Sequence, residues 1–393
     1  MQRYGLPIVI AFVSAALIYL IFAPSKPYYT VHADDTLVRA VIFFRHGDRG
    51  PVSTYPNDPH PFTDRKKWPH GTDGLTKKGK QDSYALGKVL RNRYKNFLPD
   101  AYYPDDIIAY STGKERTHAT AALVLAGLYP PTAEEKWSDE LSWHPIPIYG
   151  DIIFNNTNGL GCPRFREESL NVFAAFNETF FKEHGQTLSY LSHHTGLDLF
   201  KDPYPSVIKI GDCLIMQSRS GFELPDWSKE VFPDKIISIL KEIYNKYALG
   251  SEVHLQLGGG LMIQRVLDIF KNGKRKLYLH STHDLLLMLL EGALGVPGPI
   301  PIPQPTAAVL IELHNVSGSR IVKAFLLQHS GCKHFEPLQM NCGLHECLLE
   351  EFEAMTSNLT VQDYYKLCNE ISNQLKEPDP VVRSVGATPV PYY

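Results

Sequence analysis

Three apolar runs along the chain share one plan: each is short, rich in β-branched or aromatic residues, and cut off by charge and glycine. The first, Leu37-Val38-Arg39-Ala40-Val41-Ile42-Phe43-Phe44, reads as a buried strand. It stops at Arg45-His46-Gly47-Asp48-Arg49-Gly50-Pro51. Cations interleaved with glycines cannot continue a buried strand, and glycine allows close backbone approach, so this segment is a tight loop at a strand's carboxyl end. The second run covers residues 106–112 and leads through Gly113-Lys114-Glu115-Arg116 into an alanine- and leucine-rich helical stretch, 117–128. Arg116 therefore sits near a helix amino terminus, where backbone N–H groups favour anions. The third covers 276–282, and His283-Asp284 then opens an apolar helical run, 285–290. Asp284 is placed as an N-cap or first-turn acid, so helix capping is its plainest role.

A chain of 393 residues suggests two to three domains. Apolar residues make up 44% and charged residues 21%, which excludes disorder, collagen and coiled coil. A mean hydropathy of -0.19 excludes a multispanning membrane protein. The net charge of -3 argues against electrostatic nucleic-acid binding. The 29 prolines, 21 tyrosines and six cysteines suit an extracellular chain. Residues 6–23 are uncharged and flanked by Arg3 and Lys26, with a small-residue cleavage pattern at Val31-His32-Ala33 ahead of Asp34. The segment is expected to be a removed signal peptide or, if retained, a single amino-terminal anchor; either way the rest is translocated. Residues 381–393 hold no second apolar span. Translocation makes Asn155, Asn177, Asn315 and Asn358 candidate glycosylation sites.

The three strand ends deliver Arg45, His46, Arg49, Arg116, His283 and Asp284, and a parallel sheet would bring such ends to one edge, where open α/β sheets bind ligands. Taken singly, a histidine or a capping aspartate is more often structural. Together they define a narrow chemistry. Guanidinium forks match phosphate oxygens. A neutral imidazole is a nucleophile, and nearby arginines hold it neutral. A carboxylic acid can protonate a leaving oxygen. The set suits phosphoryl transfer to a histidine followed by hydrolysis. No zinc-ligand spacing, H-E-x-x-H, G-x-S-x-G or Walker A pattern is present, so no metal or other cofactor is expected.

At these residues the chain resembles the histidine acid phosphatases (histidine phosphatase superfamily, branch 2). Residues 45–51 match their R-H-G-x-R-x-P motif, and His283-Asp284 matches their His-Asp pair. Gly74-Leu75-Thr76-Lys77-Lys78-Gly79, a helix over 84–98, Ser111-Thr112 with Arg116-Thr117, and Cys162-Pro163-Arg164-Phe165 look like counterparts in the animal prostatic and lysosomal members. The resemblance implies His46 as nucleophile and Asp284 as proton donor, with Arg45, Arg49, Arg116 and His283 holding the phosphate. It also implies a mostly parallel sheet flanked by helices, a phosphoglycerate mutase-like α/β core, with a smaller, mainly helical insertion. The core would span 34–130 and 251–393. The insertion would span 131–250, with helical stretches at 165–183 and 233–247. Gly258-Gly259-Gly260 lacks the spacing of a dinucleotide loop and reads as close packing or a helix start.

Cys162 and Cys368 resemble a long-range family disulfide, and Cys342 and Cys347 a short one. Met216 and the 307–309 region stand where another family bridge has its cysteines. That leaves Cys213 and Cys332 as a relocated bridge or as free thiols. Residues 143–149 look like a family dimer-interface strand, with Tyr149 where a histidine is usual, so a homodimer is expected. The expected activity is metal-free hydrolysis of phosphate monoesters or phosphoproteins at acid pH, in a secreted or lysosomal setting. Within the family, a membrane-anchored Golgi glycan phosphatase and a phytase-like enzyme are alternatives. A secreted, non-catalytic binder of phosphorylated ligands is the alternative outside enzymes.

Overall fold

The computed structural model describes residues 32–151, 162–342, 346–361 and 363–369. Strand β1, Leu37–Arg45, is buried without a break from Ala40 onward. Its alternate side chains feed two cores. Val41 and Phe43 pack with helices Leu261–Asn272 and Asp284–Leu294, while Ile42 and Phe44 pack with helices Lys77–Arg93 and Glu115–Leu128. Successive side chains of a strand face opposite ways, so a strand covered on both faces reads as a continuous apolar run. Truncating a side chain as buried as Phe43 (0% exposed) costs about 3–5 kcal/mol.

The other strands are β2 Ile107–Ser111, β3 Ile148–Gly150, β4 Leu277–Thr282, β5 Ala308–Val316, β6 Ser319–Leu327, β7 Glu336–Pro337 and β8 Glu346–Leu348. The sheet order is β3-β2-β4-β1-β5-β6-β7, with β8 also on β6. The first four are parallel neighbours, and β5 to β8 add antiparallel strands on the far side of β1. The register sets the site: Arg45 lies opposite Thr282, and Ser281 opposite Ser111. The loops after β1, β2 and β4 therefore leave the sheet side by side.

The expected helix over 84–98 runs instead over Lys77–Arg93. The Thr76 hydroxyl accepts from the Gly79 N–H at 2.9 Å and starts it early. Its last turn is tied to β5: Arg93 donates twice to the Glu312 carboxylate, at 2.8 and 2.9 Å, and Tyr94 donates its hydroxyl at 2.7 Å. The Arg93 guanidinium lies between the rings of Phe325 and Phe335, 4.5 and 4.3 Å from their centroids.

Helices Pro163–Thr195, Pro203–Arg219 and Asp234–Leu249 surround a third core of residues such as Phe180, Leu188, Ile210, Leu214 and Ile243. The stretch expected at 165–183 continues to Thr195 because Leu188 and Leu191 extend its buried stripe; Gly196 ends it at φ 75°. The Gly258–Gly260 segment is buried helical backbone. A side chain at Gly259 would collide with the Leu289 carbonyl, so the glycines permit close packing on helix Asp284–Leu294.

Disulfides join Cys162 to Cys368 and Cys342 to Cys347. Cys213 and Cys332 are free thiols, which corrects the alternative of a relocated third bridge. Cys213 is buried in the core of the helical region, whereas Cys332 packs against a core on the sheet, and no bridge spans the two. Asn177, Asn315 and Asn358 are exposed. Residues 6–23, the cleavage pattern around Ala33 up to residue 31, Asn155 and residues 381–393 lie outside the described residues. No helix among the described residues is long and apolar enough to cross a membrane.

Candidate active site

The β1 strand delivers Arg45 and His46 to the sheet edge, and backbone bonds hold the turn there. Arg45 N–H donates to the Ala307 carbonyl at 2.8 Å, and His46 N–H to the Thr282 carbonyl at 3.0 Å. Gly47 then passes close to helix Lys77–Arg93; a side chain there would meet the Gly79 carbonyl. His46 is 2% exposed, and its Nδ1 lies 2.8 Å from the Gly47 carbonyl oxygen. A carbonyl only accepts, so Nδ1 carries the proton and Nε2 keeps its lone pair. Burial, reinforced by Arg116, Arg45, His283 and Arg49, holds the imidazole well below the usual histidine range. It stays neutral further into the acid range than an ordinary histidine.

The strand ends after β2 and β4 supply the neighbours. His283 is the N-cap residue of helix Asp284–Leu294, and its ring stands edge-on to that of His46 with centroids 5.5 Å apart. Its Nδ1 lies 3.2 Å from Arg116 Nη2, and its Nε2 lies 3.0 Å from the Thr112 hydroxyl. Arg116 is always a donor, so His283 accepts at Nδ1 and donates from Nε2. Burial first, then the Arg116 charge, holds His283 below its ordinary range against the pull of Asp284. Asp284 is the first-turn acid of that helix rather than its N-cap. Its Oδ1 accepts from Leu285 N–H at 2.8 Å, and its Oδ2 lies 2.6 Å from Arg45 Nη2. Burial favours the neutral acid, but Arg45, His283, the Leu285 N–H and Arg49 outweigh it and keep the carboxylate ionised at rest.

The six expected residues thus converge, and carboxylates that the sequence reading did not single out complete the site. Arg49 is held bidentately by Asp212, at 3.0 and 2.8 Å, from helix Pro203–Arg219. Asp73, in the loop before that helix-capping Thr76, sits between Arg49 and Arg116. Arg45 also donates to the Pro303 carbonyl at 2.6 Å, and the Tyr244 phenol is pushed up chiefly by the neighbouring Asp284 charge. An acid inside the apolar run Ile210-Gly211-Asp212-Cys213-Leu214 was a usable signal. Nothing in the local pattern marks Asp73. The Nε–H groups of Arg45 and Arg116 are buried without a hydrogen-bond partner. Among the described residues, the group whose ligand atoms lie close enough to hold a metal ion is Glu183, His184 and Glu242, on helices Pro163–Thr195 and Asp234–Leu249 and not among these residues.

This arrangement offers one nucleophilic nitrogen, a fence of guanidinium donors and one carboxylate beside them. Sequence comparison agrees with it at the level of family. Rat prostatic acid phosphatase is 30% identical over 348 residues, covering 84% of this chain and 89% of that protein. Bovine lysosomal acid phosphatase is 29% identical over 370 residues, covering 90% and 85%. Mouse testicular acid phosphatase is 34% identical over 281 residues, covering 66% and 64%. In fold the chain is similar to the apo phytase of Hafnia alvei, with a TM-score of 0.64, 16% identity and coverage of 86% and 99%. The phytase of Citrobacter braakii gives 0.62, 14%, 85% and 99%. The family model for the histidine phosphatase superfamily (branch 2) matches residues 36–325, and the chain belongs to that superfamily.

Proposed function

We propose that this protein is a phosphoric monoester hydrolase, an acid phosphatase, working through a phosphohistidine on His46. The observation that carries the reading is the tautomer of His46: its Nδ1–H is spent on Gly47, so the Nε2 lone pair stands among Arg45, Arg49 and Arg116. Those arginines bind the phosphoryl oxygens and stabilise the charge that grows on them during transfer, while His283, its Nε2–H given to Thr112 and its Nδ1 accepting from Arg116, positions the Arg116 guanidinium. His46 Nε2 bonds to phosphorus as the bond from phosphorus to the ester oxygen breaks, and Asp284 gives that oxygen a proton. A water then attacks the phosphohistidine and returns its proton to Asp284, releasing inorganic phosphate.

Asp284 is ionised at rest, so the proton must arrive with the substrate. A phosphate monoester has its second ionisation near pH 6, about the point where the monoanion gives way to the dianion. The monoanion brings the proton, and its oxygens take over Arg45 from Asp284. Activity should therefore be highest on the acid side and fall as pH rises through neutrality. Purified protein assayed at pH 5 and pH 7 on a panel of esters tests this. The panel should include nitrophenyl phosphate, alkyl phosphates, a phosphopeptide, a phosphorylated glycan and inositol hexakisphosphate. Release of phosphate from none of them would leave the protein a binder of phosphorylated ligands.

The two disulfides suit an oxidising compartment, and with the apolar segment 6–23 they support a place in the secretory pathway, secreted or lysosomal, or anchored there by that segment if it is retained. A homodimer is the proposed assembly. Its support is β3 at the sheet edge, where Trp137, Leu141, Trp143 and Tyr149 are exposed. Light scattering on the purified protein tests it, and a monomer at micromolar concentration would reject it.

A further inference from the structure

Asp73 occupies a peculiar place. Its Oδ1 lies 3.3 Å from Arg49 Nε, and its Oδ2 pairs with Arg116 Nη1. One carboxylate thereby spans two of the guanidinium groups meant for phosphate. Arg49 does not need it for orientation. Arg49 is already gripped bidentately by Asp212, a residue of helix Pro203–Arg219 that also accepts from the Val52 N–H at 3.2 Å. Arg116 is also engaged with His283. Asp73 belongs to the loop around Gly71 and Gly74 and takes φ 63°, the left-handed conformation that glycine, asparagine and aspartate adopt most readily. Its side chain is 27% exposed, against 16% for Asp284 and 18% for Asp212.

We propose that Asp73 is a built-in competitor of the substrate: its carboxylate stands in for two phosphate oxygens on Arg49 and Arg116 and must be displaced when a phosphate monoester binds. This rests on the reading of the site as a phosphatase. A site whose donors are filled in most molecules binds its ligand more weakly by the fraction that is free. The competition also has a pH sign. Burial raises the affinity of Asp73 for a proton and Asp212 adds to this, while Arg116, Arg49 and Lys114 oppose it; the balance lies above the usual carboxylate range. His283 and Asp284 also act on Arg116, the first by a hydrogen bond and the second by its charge. Acid therefore neutralises Asp73 sooner than an ordinary aspartate and releases both guanidiniums, so phosphate binding tightens as pH falls.

The test compares wild type with Asp73→Asn and Asp73→Gly, both of which tolerate the positive φ. KM for nitrophenyl phosphate and the inhibition constant of inorganic phosphate are measured from pH 4 to pH 7. Phosphate binding is measured separately by calorimetry. The expected result is that both constants fall about fivefold to tenfold in the variants near pH 7, converging with wild type towards pH 4. Unchanged or weaker phosphate binding in both variants would overturn the proposal and leave Asp73 as a prop for the arginines. If wild type turns over no ester, the phosphatase reading fails, and the calorimetric comparison still decides the role of Asp73.

Discussion

Replacing Asp284 by asparagine separates chemistry from architecture. Asparagine keeps an oxygen to accept the Leu285 N–H but carries neither the charge that faces Arg45 nor a proton to give. The N-cap residue of the helix is His283, so little capping energy is at stake. What is lost structurally is the 2.6 Å ion pair, with side chains only 9% and 16% exposed. Removing one partner of a buried pair costs about 3–5 kcal/mol at most, and Arg45 retains the Pro303 carbonyl, so the cost should fall below that range. Phosphate at a hundred times its dissociation constant restores about 2.7 kcal/mol. The melting temperature should therefore drop without phosphate and recover with it. Turnover of alkyl phosphates should fall by about 10²–10⁴-fold, because a poor leaving group needs the proton. Nitrophenyl phosphate, whose leaving group departs as a stable anion, should be slowed far less. KM should not rise, because Arg45 is freed of its internal counter-ion. Single-turnover rates on the two ester classes, with thermal melts in the same buffers, make the comparison. Equal slowing of both classes would reject proton donation by Asp284, and unaltered rates with a lowered melt would leave it a structural partner of Arg45.

Further tests bear on the nucleophile, the arginines, metal dependence and the fold. His46→Ala should release no phosphate while melting as wild type, and acid-quenched wild type should retain label from a labelled ester; near-normal turnover in the variant would make His46 a wall of the pocket. Arg45→Lys, Arg49→Lys and Arg116→Lys should each lose about a hundredfold in rate, near 3 kcal/mol, because a point charge does not reproduce a two-pronged contact; unchanged rates would place their action elsewhere. Since guanidiniums supply the positive charge at the site, chelator should leave turnover intact, and a loss reversed by a divalent ion would remove the proposed mechanism. Glu312, although buried, is held at about 2 by Arg93, His314 and Tyr94. A depressed folded value means stability that is present above the unfolded range, near pH 4.5, and lost as pH falls towards 2, amounting to about 3 kcal/mol. Glu312→Ala should accordingly lower the melting temperature at pH 5 and shrink that acid-dependent loss; a variant with the wild-type acid profile would refute the assignment.

How far the site could be read from the chain follows from where each residue comes from. Arg45, His46, His283 and Asp284 extend directly from buried strands, and Arg116 opens the helix after another, so an interrupted apolar run announces each of them. The parallel register then carries them to one edge without further information. Helix ends were less legible because they depend on local devices: the Thr76 cap moved one start, and a buried stripe on Leu188 and Leu191 prolonged another helix past its expected end. The fate of Cys213 depended on which core its helix packs into, which no spacing encodes. Asp73 and Asp212 come from a loop and from the helical region, far along the chain from the arginines they meet, and only tertiary packing brings them there. Yet their presence was inferable in number. Guanidinium groups that are almost wholly buried need counter-charges, because leaving such a charge unpaired costs several kcal/mol. Arg45 answers to Asp284, Arg49 to Asp212 and Arg116 to Asp73. A site that buries arginines for a phosphate must hold them while the phosphate is away, so it carries its own anions, and the affinity for substrate is set by how readily those anions yield.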